Sequence, residues 1–154
     1  MNIPVALPLD NDGFLRRECP TCLRQFKWHN GPANEEAEQQ APADSYFCPF
    51  CAQAALPDQW LTTEQVDHVR GVAIPAAIKS IDDALSEAFK GFKSKNIKVT
   101  KTGHLNTPDE PNPLTEADDM MIIASPCHSW EPIKVPDETA SPVHCIVCGQ
   151  AFAI

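Results

Sequence analysis

Large apolar side chains are scarce in this chain. Leu, Ile, Val and Phe together account for 34 of its 154 residues, close to the roughly 20% below which composition alone points to disorder. The nominal hydrophobic content of 43% leans on 18 alanines, so burial of apolar surface needs help from another source of stability. Glycine is sparse, 6 against 15 prolines, and tyrosine occurs once. Basic residues are few as well: 12 Lys plus Arg face 21 Asp plus Glu, a formal net charge of -9. That balance argues against a generic nucleic-acid binder, whose footprint is a basic surface. No apolar run approaches the roughly 20 residues a membrane-spanning helix requires. The opening stretch, MNIPVALPLDNDGFLRRE, has no basic start, and Pro4 and Pro8 interrupt its apolar part. It does not read as a signal peptide, so the expected location is cytoplasmic, with no membrane partner. Catalytic signatures are missing too: there is no glycine-rich phosphate loop, no H-E-x-x-H, no G-x-S-x-G, and no H-x-E partnered with P-C-x-x-C. The chain is therefore expected not to be an enzyme.

What the sequence does hold is seven cysteines. In a cytoplasmic chain stable disulfides are rare, so paired cysteines point to metal or to redox chemistry. Cys19-Pro20-Thr21-Cys22 is followed by Cys48-Pro49-Phe50-Cys51. Two C-x-x-C turns let four thiolates chelate one ion tetrahedrally, with turn amides directed at sulfur. Zinc fits best, and iron is chemically possible with four thiolates. Such a site is closed, leaving no position for substrate, which makes it structural. A second cluster comprises Cys127, His128 and Cys145-Ile146-Val147-Cys148-Gly149. It offers three thiolates and needs a histidine, for which His128, then His104, then His144 are the candidates. Two zinc ions are expected. The competing reading of Cys145 and Cys148 is a thiol redox pair, but that motif ordinarily opens a helix, and here it sits between apparent strands.

Between the two clusters lies the clearest helical signal. Thr62 with Gln65 forms a capping box, flanked by the staple residues Leu61 and Val66. Gly71 and Pro75 predict a kink or break in the helix near 71–75. Ile74, Ile78, Ile81, Leu85, Ala88 and Phe92 then form one apolar stripe, opposite Lys79, Asp82, Asp83, Glu87 and Lys90. The ordinary expectation is that this stripe packs on the protein's own zinc-site region; the alternative is a seam for a homodimer or another protein partner through the 74–92 face. Lys90, Lys93, Lys95, Lys98 and Lys101 crowd the end of this helix, with no acidic residue between Glu87 and Asp109. They suit the helix dipole, and they could also contact nucleic acid or an acidic partner. Short strands are expected near Ile3 to Leu9, Phe14 to Glu18, Ser45 to Phe47, Ile97 to Thr100 and around the C-terminal cluster. Residues 29–44 and 102–119 read as loops. Trp28, Trp60 and Trp130 are expected to lie over small cores.

With RRECPTCLRQFKW, YFCPFC, PCH, EPIKV and VHCIVCGQAF in view, the chain resembles small bacterial zinc-ribbon-like proteins with two cysteine-rich metal sites. The resemblance is specific over residues 14–51, weaker over 120–154, and does not extend to the helix at 62–92. It implies metal ligation for Cys19, Cys22, Cys48 and Cys51 and no particular activity. The expected fold is α+β, two small zinc-ribbon-like β units joined by a kinked amphipathic helix. Its expected segments are 1–61, 62–95, 96–119 and 120–154. The expected role is a zinc-stabilised interaction module, an adaptor or accessory subunit, with a nucleic-acid-associated protein as the alternative.

Overall fold

The computed structural model describes residues 2–92, 96–97 and 99–154. The fold is α+β: among the described residues there are a long helix, a four-residue helix and eight short strands. By internal contacts the chain divides into two units, one of residues 1–6 and 66–113, the other of residues 7–65 and 114–154.

The larger unit is built on an antiparallel sheet of order β1-β2-β6-β5, from β1 (Phe14–Glu18), β2 (Gln25–His29), β5 (Met121–Ile123) and β6 (Ile133–Val135). The N- and C-terminal cysteine segments are thus not separate β bodies. They share one sheet, joined where Trp28 of β2 lies opposite Ile133 of β6. Two hairpins complete the unit: β3 (Tyr46–Phe47) with β4 (Ala54–Ala55), and β7 (Val143–His144) with β8 (Ala151–Phe152). The loop expected at 29–44 carries a short helix, α1 (Glu35–Glu38), because the Asn34 side chain caps the Ala37 N–H at 2.9 Å.

Strand alternation gives this sheet two different faces. On one, Phe26, Trp28, Ile133 and Val135 pack with Trp60 and Ile146 around the buried Cys19 and Cys48. Phe26 meets Trp60 edge-on at 5.7 Å, the T-shaped contact aromatic rings favour. The scarcity of large side chains is met by placing cysteine sulfur inside the core. On the other face, Arg16, Lys27 and Lys134 stand in one row across β1, β2 and β6. Like charges opposite one another repel, and the Lys27 and Lys134 side chains are essentially inaccessible to water. Carboxylates make the row possible. Lys134 Nζ lies 2.8 Å from Asp10, 2.6 Å from Asp12 and 3.0 Å from Asp118. Lys27 Nζ lies 3.3 Å from Asp10, 3.0 Å from Glu116 and 2.9 Å from Asp119, and it also donates to the Ala117 carbonyl. Arg16 pairs with Glu116 at 2.7 Å and Asp119 at 2.8 Å. Burial by itself would raise the Asp10 pKa, but Lys134, the Phe14 and Asp12 amides and Lys27 outweigh it and bring the carboxyl down to about 2.

The long helix α2 (Thr63–Lys90) opens in the larger unit on the expected capping box. The Gln65 N–H donates to Thr62 Oγ1 at 3.1 Å, and the Thr62 N–H donates to Gln65 Oε1 at 3.0 Å. The remainder of α2 belongs to the smaller unit. It is not broken at 71–75: the helix runs through both Gly71 and Pro75. Gly71 has a packing role instead, since a Cβ there would stand 2.9 Å from the Pro111 ring. A segment of the 99–113 loop is pinned to α2 by Asp82. That carboxylate takes Lys101 Nζ at 2.6 Å, His104 Nδ1 at 2.8 Å and the Leu105 N–H at 2.9 Å. Lys101, His104 and the Leu105 amide hold its pKa below the usual carboxylate range.

Four further expectations differ from this structure. Among the described residues, 3–9 pair with no strand and the described part of 97–100 is not strand either; both stretches are interrupted in sequence by proline or polar residues. Most of the apolar stripe is exposed rather than packed: Ile74, Ile81 and Leu85 of α2 are 39% to 54% exposed, Phe92 just past the end of α2 is 67% exposed, and Ile78 is half-buried. Trp28 and Trp60 lie in the core as expected, whereas Trp130 is only half-buried.

Candidate metal centres

Each cysteine knuckle arises from a strand that ends in a tight turn. After β1, Cys19-Pro20-Thr21-Cys22 curls so that the Thr21 and Cys22 N–H groups both donate to Cys19 Sγ at 3.4 Å, and the Leu23 N–H closes the turn on the Cys19 carbonyl at 2.9 Å. After β3, the Phe50 N–H donates to Cys48 Sγ at 3.3 Å and the Ala52 N–H to the Cys48 carbonyl at 3.0 Å. Leu23 and Ala52 take the same left-handed conformation, φ 60° and 57°, which turns the chain away after the second thiol of each pair. At Cys145–Cys148 the corresponding residue is Gly149, φ 73°. No other residue type fits easily there, because a Cβ on Gly149 would lie 2.9 Å from the Phe47 ring.

The four sulfurs of Cys19, Cys22, Cys48 and Cys51 all lie within 4.8 Å of one another. Cys19 to Cys51 and Cys22 to Cys48 are each 3.7 Å. A tetrahedron of zinc-sulfur bonds of about 2.3 Å has edges of about 3.8 Å, so the donor set fits an ion of that size. The thiols also respond unequally in a way a central cation would relieve. Burial tends to raise Cys19, yet the Cys22 and Thr21 amides bring it to about 7; Cys48 is pushed well above a free thiol, chiefly by burial. Four thiolates crowded together cannot all ionise without a cation.

The second cluster brings Cys127, His128, Cys145 and Cys148 within the same 4.8 Å. Cys127 and Cys148 sulfurs are 3.5 Å apart, and Cys145 Sγ lies 3.4 Å from His128 Nδ1. For bonds of about 2.3 Å to sulfur and 2.0 Å to nitrogen a tetrahedral edge is about 3.5 Å. Burial pushes Cys148 up to about 11, whereas Cys127 falls to about 7, with His128 and Ser125 overcoming its slight burial. Among the three candidate histidines only His128 joins the thiols. His104 is bound to Asp82, and His144 Nδ1 faces the Pro49 carbonyl at 3.1 Å. The adjacency of Cys127 and His128 is accommodated by Ser125, buried beneath them. Its hydroxyl donates to Cys145 Sγ at 3.2 Å and accepts the His128 N–H at 3.2 Å. The sequence reading did not single out Ser125; a Ser-Pro pair just before a thiol ligand was the only local signal.

The two clusters are tied by backbone. The Phe47 N–H donates to the Ile146 carbonyl at 2.8 Å, and the His144 N–H donates to the Pro49 carbonyl at 2.8 Å. They differ in exposure: Cys19 and Cys48 are buried in the first, whereas Cys127 and Cys148 are exposed in the second.

The five candidate contact lysines are distributed differently. Lys90 pairs with Glu87 at 2.6 Å on the helix surface, and Lys101 is committed to Asp82 and to Ser86 Oγ at 2.9 Å. Lys93, Lys95 and Lys98 lie outside the described residues.

Fold and sites together define an α+β protein with two four-residue clusters at metal-binding distance, one of four cysteines and one of three cysteines and a histidine. Comparison with protein-family models, with curated proteins and with solved structures returns no match. No helix of the described residues is long and apolar enough to cross a membrane.

Proposed function

We propose that this protein is a non-enzymatic interaction module stabilised by two structural zinc ions, one held by Cys19, Cys22, Cys48 and Cys51 and the other by Cys127, His128, Cys145 and Cys148. The observation that carries this reading is that both clusters supply four donors, the number that closes a structural zinc site and leaves no position for substrate. Zinc is preferred to iron because Cys3His is a zinc donor set and one metal then serves both sites. With both ions bound, the first site carries a formal charge of -2 and the second -1.

The adaptor role rests on the exposed stripe of α2. Ile74, Ile81 and Leu85 project from α2 at helical spacing into solvent. Anchors at that spacing suit a protein partner that offers an apolar groove to a helix. For the nucleic-acid alternative, Lys101 is committed to Asp82, whereas Lys90, paired with Glu87 on the exposed helix surface, keeps its charge accessible.

Metal content of the native protein, for wild type and for His128→Ala, tests the zinc reading. Two zinc per chain falling to about one is expected, since loss of one of four ligands cripples a site. One zinc in both proteins would remove the second site. Fast alkylation of Cys145 in zinc-loaded protein would instead support thiol chemistry. A stable homodimer dispersed by Ile81→Glu would assign the helix face to self-association and overturn the adaptor role.

A further inference from the structure

Beside the second cluster is a cavity of about 340 Å³, within the size range of small-molecule sites. Its lining combines three flat side chains, Trp28, Tyr46 and Trp130, with small alanine and proline side chains of the 31–43 segment. Trp28 and Tyr46 already meet edge-on at 4.3 Å, and Trp130 stands 5.6 Å from the His128 ring. A lining of rings and small apolar groups suits a planar aromatic body.

Two charged groups share this lining, Arg17 and Glu131. Arg17 is the unusual one. Its neighbour Arg16, on the opposite face of the sheet, is fully engaged by Glu116 and Asp119. Among the described residues Arg17 makes no ion pair, and its Nε is buried without any hydrogen-bond partner. Its guanidinium lies 5.5 Å from the centre of the Trp28 ring. In a chain with 21 acidic residues this is no shortage of carboxylates. A guanidinium whose Nε is buried without a partner, on a half-buried side chain facing a cavity, is a ready site for an anion.

We propose that this cavity binds a small aromatic monocarboxylate, its carboxylate forked by Arg17 and its ring among Trp28, Tyr46 and Trp130. The planar guanidinium matches a carboxylate with two parallel N–H bonds. Glu131 sets the charge limit. It is buried on the same lining, and one of its oxygens is occupied by the Trp28 Nε1–H at 2.7 Å. A ligand bearing a second negative charge would add it to a lining that holds this carboxyl and no Lys or Arg besides Arg17. The site accordingly selects carboxylate over phosphate.

The test uses the full-length zinc-loaded protein and indole-3-carboxylate as probe, by calorimetry and by the shifts of the tryptophan indole N–H resonances. Saturable binding in the micromolar to low millimolar range is expected, at one site per chain. The uncharged indole-3-carboxamide and the dianion phenyl phosphate should each bind at least about tenfold more weakly, as loss of a charge-assisted pair predicts. Arg17→Met, which keeps the side-chain stem over Trp28, should weaken the probe by a similar factor while zinc content stays at the wild-type value. No saturation up to about 10 mM, a ligand weaker than about 3 kcal/mol of binding, would overturn the proposal. So would equal binding of the carboxamide, tighter binding of phenyl phosphate, or an undiminished response in a folded Arg17→Met protein. The ligand comparison on wild type decides the matter even where the variant fails to fold.

Discussion

Replacing Lys134 by Met tests whether the row of cations across the sheet is an organised part of the fold. Lys134 has three carboxylate partners of unequal worth. Asp12 and Asp118 are half exposed, and ion pairs of that kind contribute about 0 to 1 kcal/mol each. Asp10 has a side chain with no exposed surface and lies 2.8 Å away; removing one member of a buried pair ordinarily costs about 3 to 5 kcal/mol. Two features reduce that figure. Asp10 keeps Lys27 at 3.3 Å, so it is not stranded, and removal of Lys134 relieves repulsion on the residue directly opposite. The expected loss is about 2 to 3 kcal/mol, against less than about 1 kcal/mol for Asp12→Asn. Asp10→Asn should cost at least as much as Lys134→Met, because it deprives two buried ammonium groups of the acceptor they share and weakens the 3.0 Å bonds from the Asp12 and Phe14 amides. Urea unfolding followed by tryptophan fluorescence measures all three, with free zinc held constant and saturating because bound metal adds to apparent stability. A Lys134→Met loss no larger than that of Asp12→Asn would refute the reasoning, since Lys134 would then behave as a solvated surface lysine.

Two further perturbations probe the turns that hold the elements in place. Gly149→Ala puts a side chain at φ 73° and 2.9 Å from the Phe47 ring; the left-handed backbone alone costs about 1 to 2 kcal/mol, so zinc should pass to a chromogenic chelator faster from the second cluster, and unchanged release kinetics would count against the packing argument. Thr62→Ala removes the acceptor of the Gln65 N–H and half of a reciprocal cap, so the α2 start should lose about 1 kcal/mol, read as faster hydrogen exchange at the Gln65 amide; protection equal to wild type would mean the cap contributes nothing.

How much of this was legible beforehand follows from how local each signal is. The knuckle at Cys19–Cys22, its partner at Cys48–Cys51 and the capping box at Thr62 and Gln65 are each specified within four residues, and all were readable. The cysteine spacing also indicated which thiols belong together, because two C-x-x-C turns have few other uses in such a chain. Pro75 and Gly71 pointed to a kink or break near 71–75, and the break is absent because α2 continues through both. Proline removes one backbone donor, and a helix with three turns on either side tolerates that loss, while Gly71 serves the approach of Pro111.

The least legible features were the long-range ones, and the lysines show why. A sequence reading weights charge that is dense along the chain, so Lys90 to Lys101 drew notice. The two lysines most deeply built into the fold stand alone, Lys27 between Phe26 and Trp28, and Lys134 between Ile133 and Val135. In each tripeptide the alternation of a strand sends the two apolar neighbours to the core and the lysine to the opposite face. The matching apolar-Lys-apolar pattern in both strands was visible. What was not visible was that β2 and β6 would lie side by side, more than 100 residues apart in the chain, and so place one lysine against the other. Once that pairing exists, an acidic segment must cover the row, and the Glu116 to Asp119 stretch that reads as polar linker becomes its counter-charge. The same pairing puts the Cys127 to Cys148 segment beside the first cluster, where the Phe47 and His144 amide bonds tie the two knuckles together. The buried cation row and the metal clusters therefore depend on one register. A variant that disturbs Lys27 or Lys134 should reach both metal-binding clusters through β2 and β6 without altering any of their donor residues.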